Sequence, residues 1–294
     1  MKKQQITLPN GETLHYLKAG DENKPWLVLI HGNMSSSIHY LPIIDQLRED
    51  FQILAPDLRG FGDSTYDTPI NHLDDFADDV AELMRAMKVD RAHVAGWSTG
   101  GGIALSLAAR YAELVESLIL IESASYKGYP IFEKDENNQP IIGKLYTSKE
   151  SMAKDPVQVA PMQQVMEIKN AEMMKAVWAQ LIYNVKVPDE VDTYIDETLK
   201  QRNLIDVDWA LMTFNMSSEH NGVVEGTNLI GEVTVPVLTI WGTHDLVIPR
   251  PMFEDTAAAL PNVKKHIIEG GSHSPITDDP SALAQTMRSF IISL

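Results

Sequence analysis

The chain has 294 residues, of which 44% are hydrophobic and 22% charged, a composition typical of globular proteins. The absence of cysteine excludes disulfide bonds, thiol catalysis and cysteine-based metal sites. The net charge of −17 disfavours binding to nucleic acid and to anionic membrane surfaces. The first residues contain no apolar signal segment, and no apolar run reaches membrane-spanning length. We therefore expect a cytoplasmic protein that does not insert into a membrane.

The first third of the chain alternates predicted strands and helices. Residues 6–17 are typical of a hairpin that turns at Asn10-Gly11. A helix is expected at about 38–48, and a stripe of apolar residues predicts another over 73–88, with its acidic residues in the first turns. Continuous apolar runs, typical of strands covered on both faces, occupy residues 26–30, 51–55 and 117–122.

A glycine-flanked serine lies between a predicted strand and a predicted helix in the middle of the chain. Residues 92–95 form a short apolar run, and residues 102–111 are rich in alanine and leucine at helical spacing. The sequence Gly96-Trp97-Ser98-Thr99-Gly100 joins them. A sharp strand-to-helix turn strains the serine backbone, and glycine two residues to either side permits close backbone approach. This context predicts Ser98 as a catalytic nucleophile.

The alternating pattern stops after Ser125 and resumes near residue 235. Residues 126–230 contain no convincing apolar strand run, but they include helical patterns over 172–185 and 188–202. Strand patterns return at 235–241 and 263–268, before a terminal helix near 280–293. We predict an α/β fold with a mostly parallel central sheet and helices on both faces. Its core comprises residues 1–125 and 231–294, and residues 126–230 form an inserted helical lid, or cap.

A nucleophilic serine requires a base that accepts its proton and a carboxylate that orients this base. Parallel strands carry such groups at their carboxyl ends, in the chain order serine, acid, histidine. Asp245 follows the predicted strand 235–241, and His273 follows the predicted strand 263–268. Both therefore have the position and order that the mechanism requires. Glu122 is an alternative acid because it also ends a predicted strand.

Five short motifs, in order and at characteristic spacing, resemble those of the α/β-hydrolase superfamily, in its lid-bearing branch of esterases and lactonases. They cover the core and leave the lid unmatched: His31-Gly32, Asp57-x-Arg59-Gly60-x-Gly62-x-Ser64, Gly96-x-Ser98-x-Gly100, Gly242-x-x-Asp245 and His273-x-Pro275. The oxyanion hole requires two backbone N–H donors, of which one is Thr99, directly after the nucleophile. The resemblance implies that the second donor is Asn33, with Met34 as the alternative.

These residues indicate a serine esterase or lactonase that acts on a small, largely apolar substrate through an acyl-enzyme. The mechanism requires no metal and no cofactor. Ser98 argues against dehalogenases and epoxide hydrolases, which resemble this fold but have aspartate at the same turn. The candidates for lining an apolar substrate pocket are Met34, Trp97, Trp178 and Trp209.

Three other functions remain open for a chain with this pattern. A carbon–carbon bond hydrolase of anionic diketones would retain the serine and would benefit from a cationic lid. Residues 126–230 contain ten basic residues, Arg202 being the only arginine, against sixteen acidic ones, which disfavours an anionic substrate. A perhydrolase would use the same triad. A ligand-binding receptor would retain the fold without turnover, although all three triad residues are present here.

Overall fold

The computed structural model describes all 294 residues, and an eight-stranded sheet organises them. The strands lie in the order β1-β2-β4-β3-β5-β6-β9-β10, and only β2 runs against its neighbours β1 and β4. The sheet strands are β1 (Gln4–Thr7), β2 (Thr13–Ala19), β3 (Trp26–Ile30), β4 (Gln52–Pro56), β5 (Ala92–Trp97), β6 (Val115–Ile121), β9 (Val237–Gly242) and β10 (Val263–Ile268). The predicted mostly parallel α/β fold is therefore confirmed.

The predicted helices are present, with ends that differ by a few residues, and two further helices, Arg250–Ala259 and Pro275–Asp278, were not predicted. The helix predicted at about 38–48 begins as a 3₁₀ helix over Ser37–Tyr40 and continues as α1. The helices outside residues 126–230 are α1 (Leu41–Leu47), α2 (Leu73–Ala86), α3 (Thr99–Arg110), α9 (Arg250–Ala259), α10 (Pro275–Asp278) and α11 (Pro280–Ile292). Helix ends fray, so local patterns define them less well than they define helix interiors.

The hydrophobic core has two layers because the sheet is covered on both faces. Successive side chains of a strand point to opposite faces. Val28 and Ile30 of β3 accordingly pack in the layer that contains α2 and α3. Leu27 and Leu29 pack in the layer that contains α1 and α11. Burial on both faces explains why the central strands appear in the sequence as continuous apolar runs.

Residues 126–230, hereafter the inserted segment, lie between β6 and β9. They contain a two-stranded hairpin and five helices: β7 (Phe132–Lys134), β8 (Pro140–Leu145), α4 (Lys149–Met152), α5 (Ala160–Glu167), α6 (Ala171–Leu181), α7 (Val191–Thr198) and α8 (Leu204–Thr213). The hairpin was not predicted, because its strands are short and largely exposed and so lack a buried apolar face. The polar loop 133–139 contains its turn, in which Asp135 Oδ1 accepts hydrogen bonds from the N–H groups of Asn137 and Gln139.

Hydrogen bonds join the inserted segment to the loop that follows β3. Thr198 Oγ1 donates to the carbonyl oxygen of Met34 at 2.5 Å, and Gln201 Oε1 accepts from the Met34 N–H at 2.9 Å. Further along, Asn203 Nδ2 donates to the carbonyl oxygen of Arg59 at 2.8 Å. The inserted segment is thus bound to the edge of the sheet at which the parallel strands end.

Candidate active site

Ser98 lies at the sharp turn between β5 and α3. Its backbone has φ 56° and ψ −121°, a conformation that non-glycine residues rarely adopt. A Cβ atom at Gly96 would collide with the carbonyl oxygen of Gly100, and one at Gly100 would collide with that of Ile30. The two glycines are therefore required because the backbone passes so closely around this serine.

His273 and Asp245 form a buried pair. His273 Nδ1 lies 2.8 Å from Asp245 Oδ2, and both side chains are almost fully enclosed. Although burial alone raises the pKa of Asp245, the charge and the hydrogen bond of His273 hold it below its usual value. A carboxylate can only accept, so Nδ1–H is the donor and the lone pair of His273 Nε2 remains available to accept a proton. The loop hydrogen bonds from Val247 and Ile248 to Asp245 Oδ1 fix the carboxylate.

Trp97 joins this pair to the serine turn. Its indole Nε1 donates to the carbonyl oxygen of His273 at 2.7 Å, and the centroids of the two rings are 5.9 Å apart. Ser98 is the next residue along the chain, and its Oγ makes no hydrogen bond within the protein. The structure thus joins Asp245 to His273 directly, and joins His273 to the serine turn through Trp97. In serine hydrolases, the hydrogen bond between the serine and the histidine often tightens only when substrate is bound.

Glu122, the alternative acid, lies beside the same pair in an unusual backbone conformation with φ 43°. Its Oε1 accepts a hydrogen bond from the Gly242 N–H at 2.7 Å, and one side-chain atom each of Glu122, Asp245 and His273 lies within 4.8 Å of the other two. Burial, followed by the adjoining Asp245 carboxylate, raises the pKa of Glu122 well above its usual value. Burial therefore favours the protonated form of Glu122, whereas the contact with His273 favours the charged form of Asp245.

The loop after β3 contacts the serine from the other side. His31 Nε2 accepts a hydrogen bond from the Leu58 N–H at 3.0 Å, so its Nδ1 donates to the carbonyl oxygen of Gly32 at 2.8 Å. Burial lowers the pKa of His31 to about 4, so the ring is neutral. His31 therefore has a structural role in which it connects the loop to the Asp57–Ser64 turn.

Two backbone N–H groups near Ser98 have no acceptor within the protein. They belong to Asn33 in the loop after β3 and to Thr99 at the first position of α3. The Met34 N–H, by contrast, already donates to the side chains of Asn33 and Gln201 at 3.0 and 2.9 Å. Two free donors beside a serine have the arrangement that stabilises a developing oxyanion.

Three of the four pocket candidates share one hydrophobic cluster, and the fourth lies in another. Trp97 and Trp178 are buried against each other, with ring centroids 6.4 Å apart, and they share a cluster with the partly buried Met34. Trp209 packs instead in a separate small cluster around Met152 and Met212. His39 lies between the first two tryptophans, with ring centroids 5.9 Å from Trp97 and 5.4 Å from Trp178.

Two functional candidates in the inserted segment were not identified from the sequence. Gln201 Nε2 donates to Asn33 Oδ1 at 2.8 Å, and Asp208 Oδ1 accepts from Asn33 Nδ2 at 3.1 Å. Neither belongs to a motif. The available signal was the charge of Asp208 within the otherwise apolar run Val207–Met212 of α8, which indicates a buried carboxylate.

The acidic clusters of the structure have partners other than a metal. Asp57, Asp63 and Glu197 surround Lys3, whose Nζ lies 2.7, 3.1 and 2.6 Å from their carboxylate oxygens. Asp245 and His273 satisfy each other within the second cluster. The first cluster is therefore an ion-pair network around Lys3, and the second contains a hydrogen-bonded acid–base pair.

Comparisons with known proteins agree with this fold. A family model described as the alpha/beta hydrolase fold matches residues 25–280. The chain is 26% identical to Lipase 3 of Moraxella sp. (strain TA144), over 99% of this chain and 84% of that protein. It is 24% identical to the pimeloyl-[acyl-carrier protein] methyl ester esterase of Vibrio atlanticus, over 95% and 98% of the two chains.

Solved structures share the whole fold. The enol-lactonase from Burkholderia xenovorans superposes with a TM-score of 0.75 at 21% identity, covering 98% of this chain and 100% of that one. A thermophilic esterase from Thermogutta terrifontis superposes with a TM-score of 0.73 at 18% identity, covering 100% and 99%. No helix of the protein combines the length and the hydrophobicity needed to cross a membrane.

The sheet order and the strained serine between β5 and α3 define the class of protein as an α/β fold with a serine at a sharp strand-to-helix turn. The chain belongs to the α/β-hydrolase family, whose model covers most of its length. It is a hydrolase, and its relatives include proteins named as lipases, esterases and a lactonase.

Proposed function

We propose that the protein is a serine hydrolase that cleaves a carboxylic ester or lactone of a small, largely apolar substrate. Ser98 is the nucleophile, His273 the general base and acid, and Asp245 the residue that orients the histidine. The observation that carries this proposal is the buried 2.8 Å contact between His273 and Asp245, adjacent through Trp97 to a strained serine. The inserted segment, residues 126–230, acts as the lid of the core formed by residues 1–125 and 231–294.

The proposed reaction has two acyl-transfer steps. His273 Nε2 accepts the Ser98 proton as Oγ attacks the substrate carbonyl, and the Asn33 and Thr99 N–H groups stabilise the resulting oxyanion. His273 then protonates the leaving alkoxide and an acyl-enzyme forms. A water molecule, deprotonated by the same histidine, attacks this intermediate, and the tetrahedral species then collapses as His273 returns the proton to Ser98 Oγ and the acid is released. Asp245 keeps the proton of His273 on Nδ1 throughout.

Charge around the site favours an ester or lactone over an anionic diketone. Arg202, the only arginine of the inserted segment, donates to the backbone carbonyl oxygens of Lys200 and Ser64 and so has a structural role. Asp208, the acid of that segment that contacts Asn33 in the loop after β3, would repel an anionic substrate. The names of relatives support the same choice, since they include a methyl ester esterase and an enol-lactonase.

Hydrolysis of short-chain para-nitrophenyl esters by the purified protein and by Ser98→Ala tests the proposal. We expect the variant to lose at least about 1,000-fold in kcat, because the nucleophile is absent. Stoichiometric labelling of Ser98 by a fluorophosphonate, located by mass spectrometry, provides an independent readout. Equal turnover by the two proteins would contradict the assignment of the nucleophile.

A further inference from the structure

Asp208 is a carboxylate in an unusual position. It lies on the apolar helix α8 and reaches across to the loop after β3, where its Oδ1 accepts a hydrogen bond from Asn33 Nδ2 at 3.1 Å. Its side chain is only partly accessible. Part of its surface therefore remains open beside the loop after β3.

No cation of the protein neutralises Asp208. The charged group that shifts its pKa is another acid, Asp155, which is paired with Lys134 at 2.7 Å. Burial raises the pKa of Asp208 to about 7, Asn33 opposes this rise, and Asp155 adds to it. Asp206, on the same helix, differs because it pairs with Lys149 and Tyr66. Asp208 is therefore a buried acid without a counter-ion, a costly arrangement in a protein interior.

The position of Asp208 creates an electrostatic conflict that a substrate could resolve. Asn33 supplies one proposed oxyanion donor through its backbone and contacts Asp208 through its side chain. A carboxylate beside an oxyanion hole would repel the negative charge that develops during acyl transfer. A positive group on the substrate would remove this repulsion and would supply the missing counter-ion.

We propose that Asp208 is a specificity-determining residue that binds a cationic ammonium group of the substrate, so that the preferred substrates are amine-bearing esters or lactones. This inference depends on the proposed ester hydrolysis, and it adds the substrate class. The net charge of −17 supports it, because the field of the protein attracts cations. A quaternary or protonated amine satisfies Asp208 directly, whereas an anionic substrate would meet like charge.

Two pairs of isosteric substrates isolate the effect of charge. On the alcohol side, butyrylcholine is compared with 3,3-dimethylbutyl butyrate. On the acyl side, the para-nitrophenyl ester of 4-(trimethylammonio)butanoate is compared with that of 5,5-dimethylhexanoate. Within each pair a quaternary nitrogen replaces a carbon of the same shape. We expect kcat/KM to favour the cationic member of at least one pair by about tenfold, chiefly through a lower KM.

Asp208→Asn removes the charge while its amide oxygen can still accept from Asn33. The cationic preference should then fall to about one. Asp189→Asn is the matched control, because it makes the same change in net charge at an exposed residue of the inserted segment. It should leave the preference and the activity on the neutral ester unchanged.

The pH dependence of the preference gives a second readout. The ratio of kcat/KM values within a pair cancels any pH effect that is common to both substrates, because the same catalytic residues act on both. The ratio should rise from acid pH with a midpoint at or below about 7, since Asp208 then becomes charged and a bound cation favours the charged form further. Asp208→Asn should give a flat ratio.

Direct binding separates this inference from the proposed function. Calorimetric titration of Ser98→Ala with butyrylcholine and with its neutral isostere measures the preference without turnover. Equal binding of the two, together with a turnover ratio near one in both pairs, would overturn the assignment of Asp208 and leave Ser98-dependent hydrolysis of neutral esters intact. A cationic preference that survives in Asp208→Asn would also overturn it. Cation-selective binding without hydrolysis of any ester would support the Asp208 site and contradict the hydrolytic function.

Discussion

Glu122 and Asp245 lie together beside His273, but their surroundings shift their pKa values in opposite directions. Burial raises the pKa of Glu122, whose Oε1 accepts from the Gly242 N–H, while His273 holds the pKa of Asp245 low. Glu122 Oε2 is buried and has no hydrogen-bond partner, whereas Asp245 accepts from His273 Nδ1 and from the N–H groups of Val247 and Ile248. The physical environment, and not proximity alone, therefore distinguishes the two candidate acids.

The first prediction compares Asp245→Asn with Glu122→Gln. The first substitution removes the charge that fixes the His273 tautomer, so kcat should fall by about 1,000-fold or more. The second keeps an acceptor for the Gly242 N–H and leaves the contact between Asp245 and His273 intact, so kcat should change by less than about fivefold. Steady-state kinetics on one ester measures both. A much larger loss in Glu122→Gln would transfer the role of triad acid to Glu122.

The second prediction concerns Gly32, whose Cα lies against the nucleophile. A Cβ atom at this position would lie 2.9 Å from Ser98 Cβ and 3.5 Å from Ser98 Oγ. Gly32→Ala should therefore displace the serine and lower kcat by about 100-fold. Its cost in unfolding free energy should be about 1–3 kcal/mol.

Gly231→Ala is the control for this substitution, because a Cβ atom there would meet nothing within 4 Å. It should keep wild-type kcat and stability. Wild-type turnover in a folded Gly32→Ala protein, verified by circular dichroism, would show that the loop can shift without affecting Ser98.

The third prediction concerns the pH dependence of stability. Asp208 has a folded-state pKa near 7 against an ordinary value of 3.8, so between these pH values the folded state retains a proton that the unfolded state releases. The titration of Asp208 therefore lowers the free energy of unfolding as pH rises from about 4 to 7, and this decrease in stability is complete above pH 7. Asp208→Asn should be more stable than the wild type at pH 8, by on the order of 1–3 kcal/mol, and should lose this advantage towards pH 4.

Urea denaturation at several pH values measures this difference. Asp189→Asn, an exposed acid on the inserted segment, should show no comparable trend. An advantage of Asp208→Asn that is the same at pH 4 and pH 8 would indicate that the substitution acts through packing, without a contribution from titration of Asp208.

The sequence by itself indicated the central strands of the core, the turn that carries Ser98, and the chain order of the serine, the acid and the histidine. Strands such as β3 and β5 are identifiable because burial on both faces makes them continuously apolar, and the Ser98 turn because its backbone tolerates only glycine at residues 96 and 100. The positions of Asp245 and His273 followed as predictions from the rule that parallel strands carry functional groups at their carboxyl ends. All these signals are local.

Only the tertiary structure decided which side chains of the inserted segment meet the core. Asn33 and Asp208 are 175 residues apart and no motif relates them, and the hairpin β7–β8 lacks the buried face that makes a strand visible in sequence. The raised pKa of Glu122 likewise depends on its burial beside Asp245. Burial and long-range contacts set charge, protonation and pocket shape, and they emerge only when distant segments pack together.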